Sequence, residues 1–414
     1  MTNLQRKFVT ALATGAVLLS TVTPSAFAAT TITVSGNGSG SNNDANVSFD
    51  NNVDVEQNND ADIDNDVNVN ANTGNNSASD NTGGDVRVKT GDANVGVKIN
   101  NKANTNVANV DACCAAGGAE VKISGNGSDS DNEVDLDFDN DIDVDQDNDA
   151  DFDNDVDVDA ETGDNDADDN TGGDVRVKTG DANVGVKIAN AANYNSAVIG
   201  GGDSEGGMVS AIISGNGSDS WNDLDLDFEN DVELDQDNDA DFDNDVDVDA
   251  DTGDNDTEDN TGGDVFLTTG EANMSVELDN MANFNYADID ACGCVEDLTA
   301  KISGNGSDSD NEIEFESEND LDLDQDNDSD FDNDVDGDLE TGDNTADDNT
   351  GAVDEDSDPS VTTGDANASV KTNNHGNMNV FGTDAGDDLE DILEDLNFTF
   401  DLGDLLEWLS VHAN

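Results

Sequence analysis

DLDFDNDIDVDQDNDADFDNDVDVDA, residues 135–160, carries aspartate at every odd position from Asp135 to Asp159, while Leu136, Phe138, Ile142, Val144, Ala150, Phe152, Val156 and Val158 fall on even positions among Asn140, Gln146, Asn148 and Asn154. Successive side chains of an extended strand point to opposite faces, so this alternation predicts strand with one face of carboxylate and one of apolar and amide groups. No helical period segregates the residues in this way. The inward Asn and Gln interrupt the apolar face. They predict turns, or amides that bond to backbone or stack as ladders between neighbouring strands.

The pattern recurs. SGNGS begins at Ser35, Ser124, Ser214 and Ser303, and NTG at Asn81, Asn170, Asn260 and Asn349, which sets a repeat of 89 or 90 residues. Four units follow, over 35–123, 124–213, 214–302 and 303–383. Such strict spacing predicts tandem modules stacked on one another rather than one mixed core. Within the first unit Asn43, Asn51, Asn59, Asn65, Thr73-Gly74, Asn81-Thr82-Gly83 and Thr90-Gly91 punctuate alternating Val-rich runs. This predicts short strands joined by tight turns, giving an all-β tandem-repeat β-solenoid of small rungs.

The two ends differ from the repeats. Residues 1–29 have basic Arg6 and Lys7, an apolar stretch from Phe8 to Val22 and a small-residue AFA exit, the plan of a secretory signal peptide. Their apolar stretch is too short for a good membrane span. A secreted or cell-surface location is therefore expected, with no transmembrane segment. Residues 384–414 space Leu389, Ile392, Leu393 and Leu396, then Leu402, Leu405, Leu406 and Leu409, at helical intervals, predicting a short C-terminal helical cap or a docking element.

Composition sets the chemistry. With 101 Asp plus Glu against 12 Lys plus Arg, a formal net charge of -89, the chain repels nucleic acid and anionic membrane alike. Carboxylates about 4.8 Å apart across strands and about 6.8 Å apart along a strand repel by roughly 0.6 to 0.9 kcal/mol per pair even at water's dielectric. Dozens of such pairs exceed the about 5 to 15 kcal/mol of a typical fold. A bare array is predicted to unfold.

Calcium answers this best, because it takes six to eight oxygens in flexible geometry, whereas magnesium holds its water and demands stricter geometry. The candidate ligands are Asp135, Asp137, Asp139, Asp141, Asp143, Asp145, Asp147, Asp149, Asp151, Asp153, Asp155, Asp157 and Asp159 in the second unit. In the third they are Asp225, Asp227, Asp235, Asp237, Asp239, Asp241, Asp243, Asp245, Asp247 and Asp249, with Glu229 and Glu233 standing in their row. In the fourth they are Asp322, Asp324, Asp326, Asp328, Asp330, Asp332 and Asp334. The first unit places Asn at many equivalents, such as Asn52, Asn58, Asn68 and Asn70. Multiple calcium ions are expected; halophile-type solvation of the acidic surface and disorder of a weakly apolar chain are the competing readings.

Gln146, Asn148 and Ala150, with Asn165 and Ala167, give a spacing that resembles curlin-like fibre repeats, which implies a β-solenoid able to enter extracellular fibres or to assemble with itself. NTGGD followed by TGDAN is similar to calcium-binding β-roll repeats of secreted toxins, but without their nine-residue period or GGxGxD core. QDNDADFDND at Gln146 lacks the glycine and terminal Glu of an EF-hand loop. Arg87, Lys89, Lys98, Arg176, Lys178 and Lys187 predict local charge balance or contact with an acidic face. Cys113, Cys114, Cys292 and Cys294, at unit junctions, suggest disulfides in an exported chain. The two histidines, His375 and His412, have no nucleophile near them in sequence, and an exposed periodic carboxylate lattice offers no contrasting acid and base. The expectation is a non-enzymatic adhesin or a component of a biofilm matrix or fibre, with a mineral- or ice-surface binder as the alternative.

Overall fold

The computed structural model describes residues 5–14, 17–22, 30–110, 119–200, 207–289, 295–351 and 359–382. It is all-β, with every strand pairing parallel and no helix among the described residues. The expected helical tail at 384–414 and all four cysteines lie outside the described residues.

Each unit makes one wide rung rather than several small ones. In the first, β1 (Gln5–Thr14) and β2 (Val17–Val22) precede β3 (Thr30–Ser35), β4 (Asn42–Asn72), β5 (Val86–Lys89) and β6 (Ala93–Val110). The second contributes β7 (Ala119–Ser124), β8 (Asp131–Glu161), β9 (Val175–Lys178) and β10 (Ala182–Ile199). The third contributes β11 (Gly207–Ser214), β12 (Trp221–Asp251), β13 (Val265–Thr268) and β14 (Ala272–Ile289). The fourth contributes β15 (Val295–Ser303), β16 (Asp310–Glu340), β17 (Ser360–Thr362) and β18 (Ala366–Phe381).

Equivalent strands stack into four parallel sheets, β3-β7-β11-β15, β4-β8-β12-β16, β5-β9-β13-β17 and β6-β10-β14-β18. β1 and β2, within the expected signal peptide, pair with the other edge of β6. Register follows the repeat, with Asp135 beside Asp225 and Asn46, and Asp225 beside Glu314.

The turns expected at Asn43, Asn51, Asn59 and Asn65 are corrected by the structure: β4 runs through all four as one strand of 31 residues. At about 3.3 Å per residue such a strand is about 100 Å long. An inward amide need not end a strand when the rung beside it supplies its partner. Asn65 donates to Asn154 Oδ1 at 2.9 Å, and Asn154 donates to Asn244 Oδ1 at 2.9 Å. Gln146 and Gln236 donate to Gln57 and Gln146, both at 2.7 Å. The turns expected around Thr73-Gly74, Asn81-Gly83 and Thr90-Gly91 do fall between strands.

The long sheet and the β6-β10-β14-β18 sheet form two layers. Val156, Val158 and Ala160 pack with Val184, Val186 and Ile188, and Ile142 and Val144 with Ala197 and Ile199. The β7 sheet covers the start of the long one, setting Val121 and Ile123 on Leu136 and Phe138. Phe152 and Phe242 stack at 4.9 Å between centroids, as do Phe138 and Phe228, so side chains follow the strand spacing.

Two backbone devices permit this shape. Asn104, Asn193, Asn283 and Asn377 sit at φ of 58°, 62°, 59° and 61° inside their strands, a left-handed conformation that asparagine tolerates. The alternation changes phase there: Ala93 to Ala103 bury odd positions, Asn104 to Val110 even ones. At the corner after the long strands, a Cβ on Gly163 would lie 2.1 Å from the Gly253 carbonyl oxygen, so only glycine lets these rungs close up.

Candidate metal-binding face

All the expected ligands lie on the outward face of the long sheet. Burial alternates strictly along β8 and β12, with inward residues buried and most of the carboxylates exposed. Parallel register aligns them in columns along the stack, such as Asp147, Asp237 and Asp326, or Asp153, Asp243 and Asp332. Adjacent columns bound shallow grooves. One, of about 670 Å³, lies among Asp157, Asp159, Asp247, Asp249, Asp336 and Asp338, and another, of about 510 Å³, among Asp149, Asp151, Asp239, Asp241, Asp328 and Asp330.

The crowding shows in the acidities. Partial burial, then Asp237 and Asp145, raises the Asp147 carboxyl; partial burial, then Asp145 and Asp324, raises Asp235. Glu229 is raised chiefly by Asp139, its partner in register, and Glu233 chiefly by Asp143. At these four positions a carboxylate on an adjacent rung discourages ionisation.

The first rung dilutes this repulsion with amides. Asn68 donates to Asp157 at 2.8 Å and Asn58 to Asp147 at 3.4 Å, while Asn70 and Asn72 donate to Asp159 and Glu161. The Asn-for-Asp exchange read in the sequence is therefore an exchange of a like charge for a hydrogen-bond donor.

One tighter cluster escaped sequence reasoning. Asp254, Glu340 and Asp343 bring carboxylate oxygens within 4.8 Å of one another at the corner between rungs three and four. Asp254 and Asp343 hold φ of 51° and 48°. Two oxygens on one calcium ion are at most about 5 Å apart, so this donor set fits a hard cation. The equivalent corner one rung earlier is strained electrostatically. Burial, then Asp159 and Asp164, pushes Glu161 up to about 7; burial, then Asp254 and Asp249 against a lowering bond from the Gly253 amide, pushes Asp251 up to about 6. The signal was the recurring DTGDN at 251–255 and ETGDN at 161–165 and 340–344, but the cluster joins two rungs and no single stretch displays it.

Of the basic residues singled out in the sequence, Arg176 and Lys187 balance charge locally. Lys187 and Lys371 flank Glu277 at 3.0 and 3.1 Å, and Arg176 bonds Asp174 at 3.0 Å while lying 5.0 Å from the Phe266 ring centre. Asn126 and Asn216 of the SGNGS segments are buried and donate to Asn132 and Asn222, the behaviour of turn residues. His375 lies among Asn283, Phe284, Asn374 and Met378, none of them a nucleophile. No helix among the described residues is long and apolar enough to cross a membrane. Compared with protein-family models, with curated proteins and with solved structures, the chain gives no match.

Proposed function

We propose that this chain is a non-enzymatic extracellular structural protein, an adhesin or a matrix and fibre component, whose carboxylate face takes up calcium as part of its folded state. The observation carrying this reading is the in-register stacking of acidic columns one rung apart, which multiplies repulsion in the bare protein and supplies only oxygen donors to a cation. The basic and apolar opening of residues 1–29 supports export.

Far-ultraviolet circular dichroism in dilute buffer with chelator, followed by calcium titration and equilibrium dialysis, tests it. The expected result is loss of β-signal in chelator, recovery with calcium and several ions bound per chain, with magnesium less effective at equal concentration. A compact, cooperatively melting protein in ion-stripped dilute buffer overturns it. Recovery by sodium chloride alone replaces calcium with halophile-type solvation. The regular lattice also favours a second reading, a binder of calcium mineral or ice, which crystal-growth and ice-recrystallisation assays examine directly.

A further inference from the structure

The stack is only four rungs deep, about 19 Å at the strand spacing, against rungs about 100 Å wide. Its fourth rung has nothing beyond it among the described residues. Ile313, Phe315 and Leu321 are 48%, 53% and 53% exposed, although their equivalents Leu224, Leu226 and Val232 are buried. Phe331, in register with Phe242, also meets it at 65°, departing from the parallel stacking of Phe152 on Phe242 inside the molecule.

Two glycines mark what belongs at these ends. Gly127, Gly217 and Gly306 each leave room for the preceding rung, since a Cβ there would meet its backbone at 2.4 Å. Gly38 occupies the same place in rung one, where a Cβ would meet nothing within 4 Å. At the other end Gly74, Gly163 and Gly253 make room for the following rung, with contacts of 1.9 to 2.2 Å, yet Gly342 in rung four again faces open space. Neither Gly38 nor Gly342 has a positive φ that would itself demand glycine. Both ends are cut to receive a neighbouring rung.

The amides agree. In the column Asn104, Asn193, Asn283 and Asn377, each Nδ2 donates to the Oδ1 of the following rung. Asn104 is fully buried and its Oδ1 has no partner. Asn377 ends the column as the acceptor of Asn283, with no further rung among the described residues. Charge also favours one pairing of ends: the fourth rung is acidic at every outward position of β16, while the first offers Asn46, Asn52 and Asn58, the residue type that already donates to carboxylates inside the molecule.

We propose that copies of this chain stack head to tail, the first rung of one continuing the four sheets from the fourth rung of the next, in the same parallel register as the internal repeats. The occupant is a second copy, because only another unit of this repeat matches the glycines, the amide polarity and the exposed apolar positions together. This rests on the fibre reading above. It also requires that β1 and β2 leave the edge of β6, which removal of the expected leader would accomplish.

Sedimentation and electron microscopy of the exported chain in calcium provide the test, with Gly38→Val and Gly342→Val as variants. Each new side chain points into open space in a single molecule, so circular dichroism and melting should match the parent. In a stack each collides with backbone. The parent should form filaments and each variant alone should remain a monomer. Mixing the two variants should give a one-to-one dimer and nothing longer, because only one pairing of ends retains both glycines. A monomeric parent, covered at its ends by residues 384–414 or by the leader, overturns the proposal, as do variants that polymerise like the parent or a mixture that stays monomeric. Calcium dialysis on the monomeric variants is read separately: uptake without stacking refutes only the stack, and absence of uptake refutes the calcium reading instead.

Discussion

Asn154 shows what an inward amide contributes. It accepts from Asn65 and Asn101 at 2.9 Å each and donates to Asn244 at 2.9 Å, with no exposed surface. Asn154→Ala removes these three hydrogen bonds, each worth about 0.5 to 1.5 kcal/mol net, and leaves Asn65 bonded to Asn101, and Asn101 and Asn244 to Asn190. The urea midpoint in calcium should fall by an amount equivalent to about 2 to 5 kcal/mol. One position along, Asp155→Asn exchanges a repelling carboxylate for an amide, the exchange rung one makes at Asn68 and Asn70, and should leave more β-signal in chelator while lowering calcium uptake. Weakened carboxyl acidities give a pH dependence of definite sign. Glu161 at about 7 and Asp251 at about 6 hold protons more tightly folded than unfolded, so their contribution is full below about 4 and is lost as pH rises through 6 to 7. The β-signal that survives in chelator should therefore be larger at pH 5 than at pH 8, and calcium should flatten or reverse the trend. At this scale the sequence was legible wherever its period was two. It was not legible at Asn104, whose left-handed backbone reverses the in-out phase without altering composition.

Strand length is where element-level reading went wrong. Asn51, Asn59 and Asn65 look like punctuation because a buried amide in a lone strand has no partner, and turn residues are drawn from the same small set. Stacking removes the distinction, since the partner is the same residue one unit away. The corners were legible, because there Thr-Gly and Asn-Thr-Gly add close approach and positive φ to the rung-to-rung pairing that Asn81, Asn170 and Asn260 still make. Gly172 is at 83° and Asp169 at 54°. Gly163→Ala tests the close approach: its Cβ would lie 2.1 Å from the Gly253 oxygen, so rungs two and three must part at that corner. The expected outcome is a clear loss of stability together with faster amide exchange at the corner between β8 and β9. Unchanged exchange there would show that the rungs are not in close contact.

The whole molecule obeys a rule visible in the repeat spacing, that each strand finds its backbone partner in the next unit, while the apolar layers close within each unit. The candidate triad follows the same rule, which is why the columns were foreseen and Asp254, Glu340 and Asp343 were not. Asp343→Asn should remove about one calcium from the stoichiometry measured by dialysis, on the footing that three oxygens and solvent complete one site. Loss of none would show that the ions bind in the grooves alone.

More than half of the acidic residues lie on one broad side of a thin slab, and the opposite layer carries Asn94, Gly96, Lys98 and their equivalents. The molecule is electrically lopsided, like a plank painted on one surface. Near a charged wall it has a preferred side, and it arrives lying flat instead of tumbling into contact at random. Divalent ions mask the painted surface, so the same solute that steadies the protein also decides how strongly it is oriented.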